Sequence, residues 1–130
     1  MPEPWKPEGH TSISPYLVTA KTVEVIEFLR NTLDAVSVRR YETADGDILH
    51  AEYRIDDTVI MLAQATIEWP PVACHVHVYV PDVDAAYEMA LRYGGQSVQA
   101  PERKNGDPDR RCGVRDPGGN TWWIATQMES

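Results

Sequence analysis

The sequence predicts an α+β fold built from two repeated βαβββ units. Three observations carry that prediction. Hydrophobic periodicity gives the order strand, helix, three strands, and then the same order again. The predicted helices start at Lys21 and Val83, an offset of 62, and the predicted last strands start at Thr58 and Thr121, an offset of 63. Between the two runs, Trp69-Pro70-Pro71 breaks the chain as a linker would. Self-similarity at such a period is the mark of a duplicated supersecondary unit. The first unit is expected over about 12–66 and the second over about 73–127, within one domain spanning 1–130.

The elements follow in order. Pro2, Pro4 and Pro7 make Met1–Thr11 an extended lead-in. Ile13–Val18 reads as a strand. Lys21–Leu33 reads as a helix, with Val23, Ile26, Leu29 and Leu33 as its apolar stripe. Val36–Tyr41 is a strand, and Asp45-Gly46 supplies the positive φ of a tight turn. Leu49–Ile55 and Thr58–Gln64 complete the unit. Cys74–Val80 then opens the second unit. Asp82 can cap a helix over Val83–Tyr93, with Val83, Ala86, Tyr87, Ala90 and Leu91 facing inward, and Gly94-Gly95 ends it. Ser97–Ala100 is a strand and Pro101–Pro108 a polar loop. Arg111–Arg115 and Thr121–Thr126 are strands joined by Asp116-Pro117-Gly118-Gly119-Asn120, a strong turn signal.

Composition narrows the function. The 130 residues carry 12 Lys and Arg against 20 Asp and Glu, a net charge of -8, which argues against a nucleic-acid partner. No apolar run approaches the roughly 20 residues that span a bilayer. Met1–Gly9 is polar and proline-rich, without the apolar core of a signal peptide, so the expected location is the cytoplasm. Cys74 and Cys112 form no CxxC and are expected as reduced, partly buried thiols. No glycine-rich phosphate loop or serine elbow is present. Arg103, Lys104, Arg110 and Arg111 form a basic patch that would clamp an anion or simply face solvent.

Two segments resemble the vicinal-oxygen-chelate superfamily, the fold of glyoxalase I, bleomycin-resistance proteins and extradiol dioxygenases. One is Pro15-Tyr16-Leu17-Val18 leading to Ile26-Glu27-Phe28; the other is Arg115 to Trp123, with its Asp-Pro-Gly-Gly-Asn turn. The resemblance runs from Ser12 to Thr126 and is nearest the PhnB-like and bleomycin-resistance-like members. It implies curved mixed sheets around a cleft, with helices on their outer faces, and a homodimer. Strand alternation then turns Val76, Val78, Val80, Trp122 and Ile124 toward the helices, and His75, His77, Tyr79 and Trp123 toward the cleft.

Enzymes of this superfamily hold a divalent metal through four side chains. Carried over, those positions fall at or next to Ser14, at Ile60 or Met61, at His75, and at Trp123. Only His75 is a competent ligand, so no metal or other cofactor is expected. His10, His50, His77, Glu52 and Glu68 offer scattered donors without a carboxylate at the position that would complete a facial triad.

What remains is aromatic. Four Trp and six Tyr stand against one Phe, and Tyr and Trp join an apolar face to a polar tip, which suits a ligand cleft. The expected ligand contacts are Trp123, His75, His77, Tyr79, Tyr16, Met61 and Trp69, with no catalytic residue. The expected function is non-catalytic binding of a small molecule, sequestering a bulky aromatic or cationic antibiotic-like compound. The alternatives are a metal-dependent lyase, isomerase or dioxygenase centred on His75, and a sensor or accessory protein.

Overall fold

The computed structural model describes residues 4–130. It contains eight strands and two helices in a duplicated order. In the first unit these are β1 (Tyr16–Thr19), α1 (Thr22–Leu33), β2 (Val36–Glu42), β3 (Ile48–Ile55) and β4 (Thr58–Gln64). In the second they are β5 (His75–Tyr79), α2 (Val83–Arg92), β6 (Gln96–Glu102), β7 (Asp109–Arg115) and β8 (Thr121–Gln127). Each unit forms a four-stranded mixed sheet of the same topology, β1-β4-β3-β2 and β5-β8-β7-β6. The first strand of each unit pairs parallel to the last, and the remaining pairs are antiparallel. The predicted α+β fold of two βαβββ units is therefore the observed one.

The helices form because each buries one apolar stripe against the sheets. On α1 the stripe is Thr22, Val25, Ile26, Phe28, Leu29, Thr32 and Leu33. Val23, expected inside, is 56% exposed. The true face starts one residue earlier, at Thr22, whose hydroxyl donates to Gln64 Oε1 at 2.7 Å. On α2, Val83, Ala86 and Ala90 are buried and Tyr87 packs against the core, while Leu91 lies outside. The Asp82 cap is as predicted: its side chain accepts from Ala85 N at 3.1 Å.

One apolar core serves both units. Leu17, Phe28, Leu62, Val114, Trp122 and Ile124 all belong to it. The Asp116–Asn120 turn fastens the second unit to the first. Asp116 is 4% exposed, and its carboxylate accepts from Gly118 N, Asn120 N, Asn120 Nδ2 and Trp122 Nε1 at 2.8–3.4 Å. Asn120 Oδ1 in turn accepts from Cys74 N, at the start of β5. Gly118 sits where any Cβ would lie 2.5 Å from Thr19 Oγ1 and 2.8 Å from a Val25 methyl, so only glycine lets the turn lie against β1 and α1.

Several strand ends differ from expectation: β1 begins at Tyr16 and not at Ile13, and other ends move by one or two residues. β6 runs on to Glu102 and β7 begins at Asp109, so the polar loop is shorter than Pro101–Pro108. Register shifts between Ser97 and Gln99 and between Gln99 and Glu102 break the alternation that would have revealed the extension.

Candidate functional site

The face of each sheet turned away from the core can be read from register, because residues paired across strands share a face. In the second sheet, one row is His77, Trp123, Gly113 and Gln99, and the next is Tyr79, Ala125, Arg111 and Glu102. In the first, the row is Tyr16, Met61, Glu52 and Arg39. The predicted alternation holds: Trp122 is 1% exposed and Ile124 fully buried on the core side, while Trp123 is half-buried on the other. Ala125 shares the face of Trp123 but is fully buried.

Trp123 and His75 form one flat surface. Trp123 Nε1 donates to His75 Nδ1 at 3.0 Å, and the two ring planes lie within 6° of each other. The indole lies down on the sheet because its cross-strand partner is Gly113. A Cβ there would stand 2.6 Å from Trp123 Cζ3. A glycine inside a strand often marks a close approach of this kind.

Beside the shelf is a polar network centred on Arg111. Its guanidinium donates to Asp107 at 2.7 Å, Asp109 at 3.0 Å and His77 Nε2 at 3.2 Å. Tyr79 Oη donates to Asp109 at 2.7 Å, and the Tyr79 ring meets that of His77 edge-on, with centroids 4.9 Å apart. Burial and the charge of Arg111 push the His77 imidazole below its ordinary value. The hydrogen bond to Asp109 pushes the Tyr79 phenol up. The basic patch expected here does not exist as free charge: Arg103 pairs with Glu129, Lys104 with Glu102, Arg110 with Asp84, and Arg111 with Asp107 and Asp109.

The first sheet holds a cluster that sequence reasoning did not assign to the site. Glu52 is 3% exposed and accepts from His10 Nε2 at 2.7 Å, Arg39 Nε at 2.8 Å and His50 Nε2 at 2.9 Å. Burial alone would raise its carboxyl, but the three hydrogen bonds and the Arg39 charge outweigh it and hold it at about 2. His50 lies between Tyr16 and Tyr41, with ring centroids 5.8 Å from each. Alternation along β3 marks Glu52 and His50 as sharing the face turned away from the core; nothing local marks His10, which is 42 residues distant, or Arg39.

The structure thus brings His75, His77, Tyr79 and Trp123 together on one sheet and Tyr16 and Met61 together on the other. No hydrogen bond or ring contact joins the two sets among the described residues. Trp69 is 71% exposed in the turn after β4, where its carbonyl accepts from Thr66 N. A separate groove of about 930 Å³ runs between the units past the end of α1, the β3–β4 turn and the start of α2, and touches this face only at Tyr79.

Register and burial separate the two fourth-strand candidates, Ile60 and Met61. Ile60 is in the core and Met61 faces away from it, opposite Tyr16 and Glu52. Met61 and Trp123 occupy equivalent places in the two units. A thioether, an indole, the Ser14 hydroxyl and one imidazole whose Nδ1 already accepts from Trp123 do not make a divalent-metal donor set. Among the described residues no group of three or more His, Cys, Asp or Glu side chains is placed to hold a metal ion.

The family model for the Glyoxalase/Bleomycin resistance protein/Dioxygenase superfamily matches residues 9–124. The chain belongs to this superfamily. An uncharacterized protein of Mycobacterium bovis is 32% identical over 124 residues, covering 85% of this chain and 80% of its own. The fold is similar to that of TioX from Micromonospora sp. ML1, at TM-score 0.75 and 20% identity, over 90% of this chain and 98% of TioX. It is also similar to TnmS3, an antibiotic-binding protein from Streptomyces sp. CB03234, at TM-score 0.67 and 18% identity, over 91% of this chain and 99% of that one. Among the described residues no helix is long and apolar enough to cross a membrane.

Proposed function

We propose that the protein is a non-catalytic binder that sequesters a bulky aromatic or cationic antibiotic-like compound. The observation that carries this is the Trp123–His75 shelf. A flat, half-exposed aromatic surface lies on the second sheet, kept flat by Gly113, and the resemblance assigns the Trp123 position to the last metal ligand of the superfamily's enzymes. Stacking on such a surface adds about 0.5–1.5 kcal/mol beyond the area it buries. The ligand contacts are Trp123, His75, His77 and Tyr79 on the second sheet. Tyr16, Met61 and Trp69 come from the first unit and the linker. TnmS3 supports the reading as an antibiotic binder of similar fold.

Because Tyr16 and Trp123 lie on different sheets of one chain, the full cleft is assigned to a homodimer. Exposed apolar side chains at β1, Ile13 before it, Tyr16 at its start and Val72 bridging it, are the surface such pairing would cover. The working location is the cytoplasm.

The second reading is a metal-dependent lyase, isomerase or dioxygenase. It rests on His75, which keeps a superfamily ligand position with Nε2 free. The experiment is a tryptophan-fluorescence titration of the purified protein against an antibiotic panel, with elemental analysis and mass spectrometry of each compound afterwards. Quenching that saturates, returns the compound unchanged and disappears in Trp123→Ala supports the binder. One equivalent of metal, lost in His75→Ala, together with a changed compound, overturns it.

A further inference from the structure

We infer that the groove between the two units is a second ligand site, separate from the Trp123 shelf, and that it takes an organic ammonium ion with a compact apolar body. The groove has a volume of about 930 Å³ and meets the face of the shelf only at Tyr79. Small-molecule sites are typically concave, about 300–1,000 Å³ in volume, and mostly apolar with a few polar groups. This groove has that make-up. The buried part of its wall is Leu33, Ile55 and Ala86, all members of the core, with half-buried Val80 and Met89 beside them.

The exposed part of the wall carries the charge. Asp34 at the end of α1, Asp56 between β3 and β4, and Asp82 at the start of α2 all line the groove. Among the described residues neither the Asp34 nor the Asp56 carboxylate has an ion-pair or hydrogen-bond partner, whereas Asp84, Asp107 and Asp109 are each held by an arginine. Asp82 uses one oxygen, Oδ1, to cap α2. Against these three carboxylates stands Arg54, whose guanidinium ends beside the lead-in segment: a Cβ on Gly9 would lie 2.8 Å from its Nη2. The lining is therefore net negative over an apolar floor. Such a mouth attracts an ammonium group and repels a carboxylate. Thr32 lines the groove too. It is 8% exposed, and its hydroxyl is buried without a hydrogen-bond partner among the described residues. A buried polar atom left unpaired calls for a partner from outside the chain, and a hydroxyl oxygen accepts from an ammonium N–H.

The probes are 1-adamantanamine, 1-adamantanol and 1-adamantanecarboxylate, one compact apolar cage bearing a cation, a neutral group or an anion at pH 7. The cage is globular, so it cannot stack flat on Trp123. Isothermal titration calorimetry reads the affinity, and amide chemical shifts of the isotope-labelled protein read the place. At low ionic strength the amine should bind at least about fivefold more tightly than the alcohol, and more tightly still than the carboxylate. The amides of Ile55, Asp56, Ala86 and Met89 should shift, and the Trp123 indole N–H should not. In about 0.5 M NaCl the preference for the amine should fall to within about twofold. The double variant Asp34→Asn, Asp56→Asn should lose the preference in the same way at low salt. Both residues have a φ of 53°, which asparagine tolerates, so the exchange removes charge and spares the backbone. Circular dichroism checks that the variant folds, and the salt series on the wild type stands without it. The assignment is overturned by an alcohol that binds as tightly as the amine, by a preference that survives in the folded double variant, by shifts centred on Trp123, or by no binding of any probe. Quenching by flat compounds depends on Trp123 and is untouched by these results, so the groove and the shelf fail separately.

Discussion

Two adjacent tryptophans with opposite roles make the sharpest test of the assigned faces. Trp122 is 1% exposed, and its Nε1 donates to Asp116 at 2.8 Å. Replacing it by alanine removes a buried indole, at about 3–5 kcal/mol for such a truncation. It also takes one of the donors from a buried carboxylate, at about 1 kcal/mol more. Native stability is typically about 5–15 kcal/mol, so Trp122→Ala should lose a large share of it. At about 3 °C per kcal/mol for a chain of this size, the melting temperature should fall by more than about 10 °C. Trp123→Ala removes a half-buried ring lying on Gly113, with no core cavity behind it. Its cost should be about 1 kcal/mol, a shift of a few degrees. The assay is thermal unfolding followed by far-ultraviolet circular dichroism, which does not depend on either indole. If Trp123→Ala melts as low as Trp122→Ala, the indole of Trp123 is core, and the whole ligand face drawn from it is wrong.

Three other outcomes follow from the same contacts. Gly113→Val should push the Trp123 ring off β7, changing tryptophan emission and abolishing ligand quenching, since even a Cβ would sit 2.6 Å from the ring; a melt near wild type would show that the fold is spared. Glu52 is depressed from 4.5 to about 2, so its contribution is fully present above about pH 4.5 and is lost as pH falls toward 2. Glu52→Gln should therefore cost up to about 3 kcal/mol at pH 7 and converge with wild type near pH 2 in urea titrations. Burial pushes the Cys112 thiol up to about 11, so it should resist iodoacetamide at pH 8 in the folded protein and react once urea unfolds it.

What was legible in the sequence was whatever burial writes as period. β5 alternates His75, Val76, His77, Val78, Tyr79, and one buried side fixes the faces; β8 inherits them through its parallel pairing with β5. The Asp116–Asn120 turn was legible because its residue types are dictated by backbone geometry and a close approach. Failures arose where polar residues do structural work. Thr22 and Thr32 are buried on α1 and disguise its register, which drew Val23 into the stripe. Asp109 and Arg110, left between the predicted loop and the predicted strand from Arg111, lie in β7, where each charge finds a partner across the fold: Asp84 for Arg110, Tyr79 for Asp109. The Glu52 cluster was legible only in part. His50 shares a face of β3 with Glu52, but His10 comes from the lead-in segment and Arg39 from β2, and only the folded chain gathers them with Glu52.

The duplication itself explains how the site can differ so much between units while the fold stays the same. Equivalent rows run Tyr16–Met61–Glu52–Arg39 and His77–Trp123–Gly113–Gln99. The helix-side residues of both units must fill one shared core, so their chemistry is held to apolar types. The outward rows carry no such demand. In the first unit the third position holds a buried carboxylate that collects one guanidinium and two imidazoles, and the row becomes a rigid polar cluster. In the second the same position is Gly113, with no side chain, and the neighbouring indole spreads into the vacated space. A single difference, glutamate against glycine opposite the fourth-strand residue, thus decides whether that face offers charge or a flat surface. The flat surface of the second unit therefore depends on Gly113 as much as on Trp123: a larger residue at 113 would leave the tryptophan in the sequence and remove the shelf.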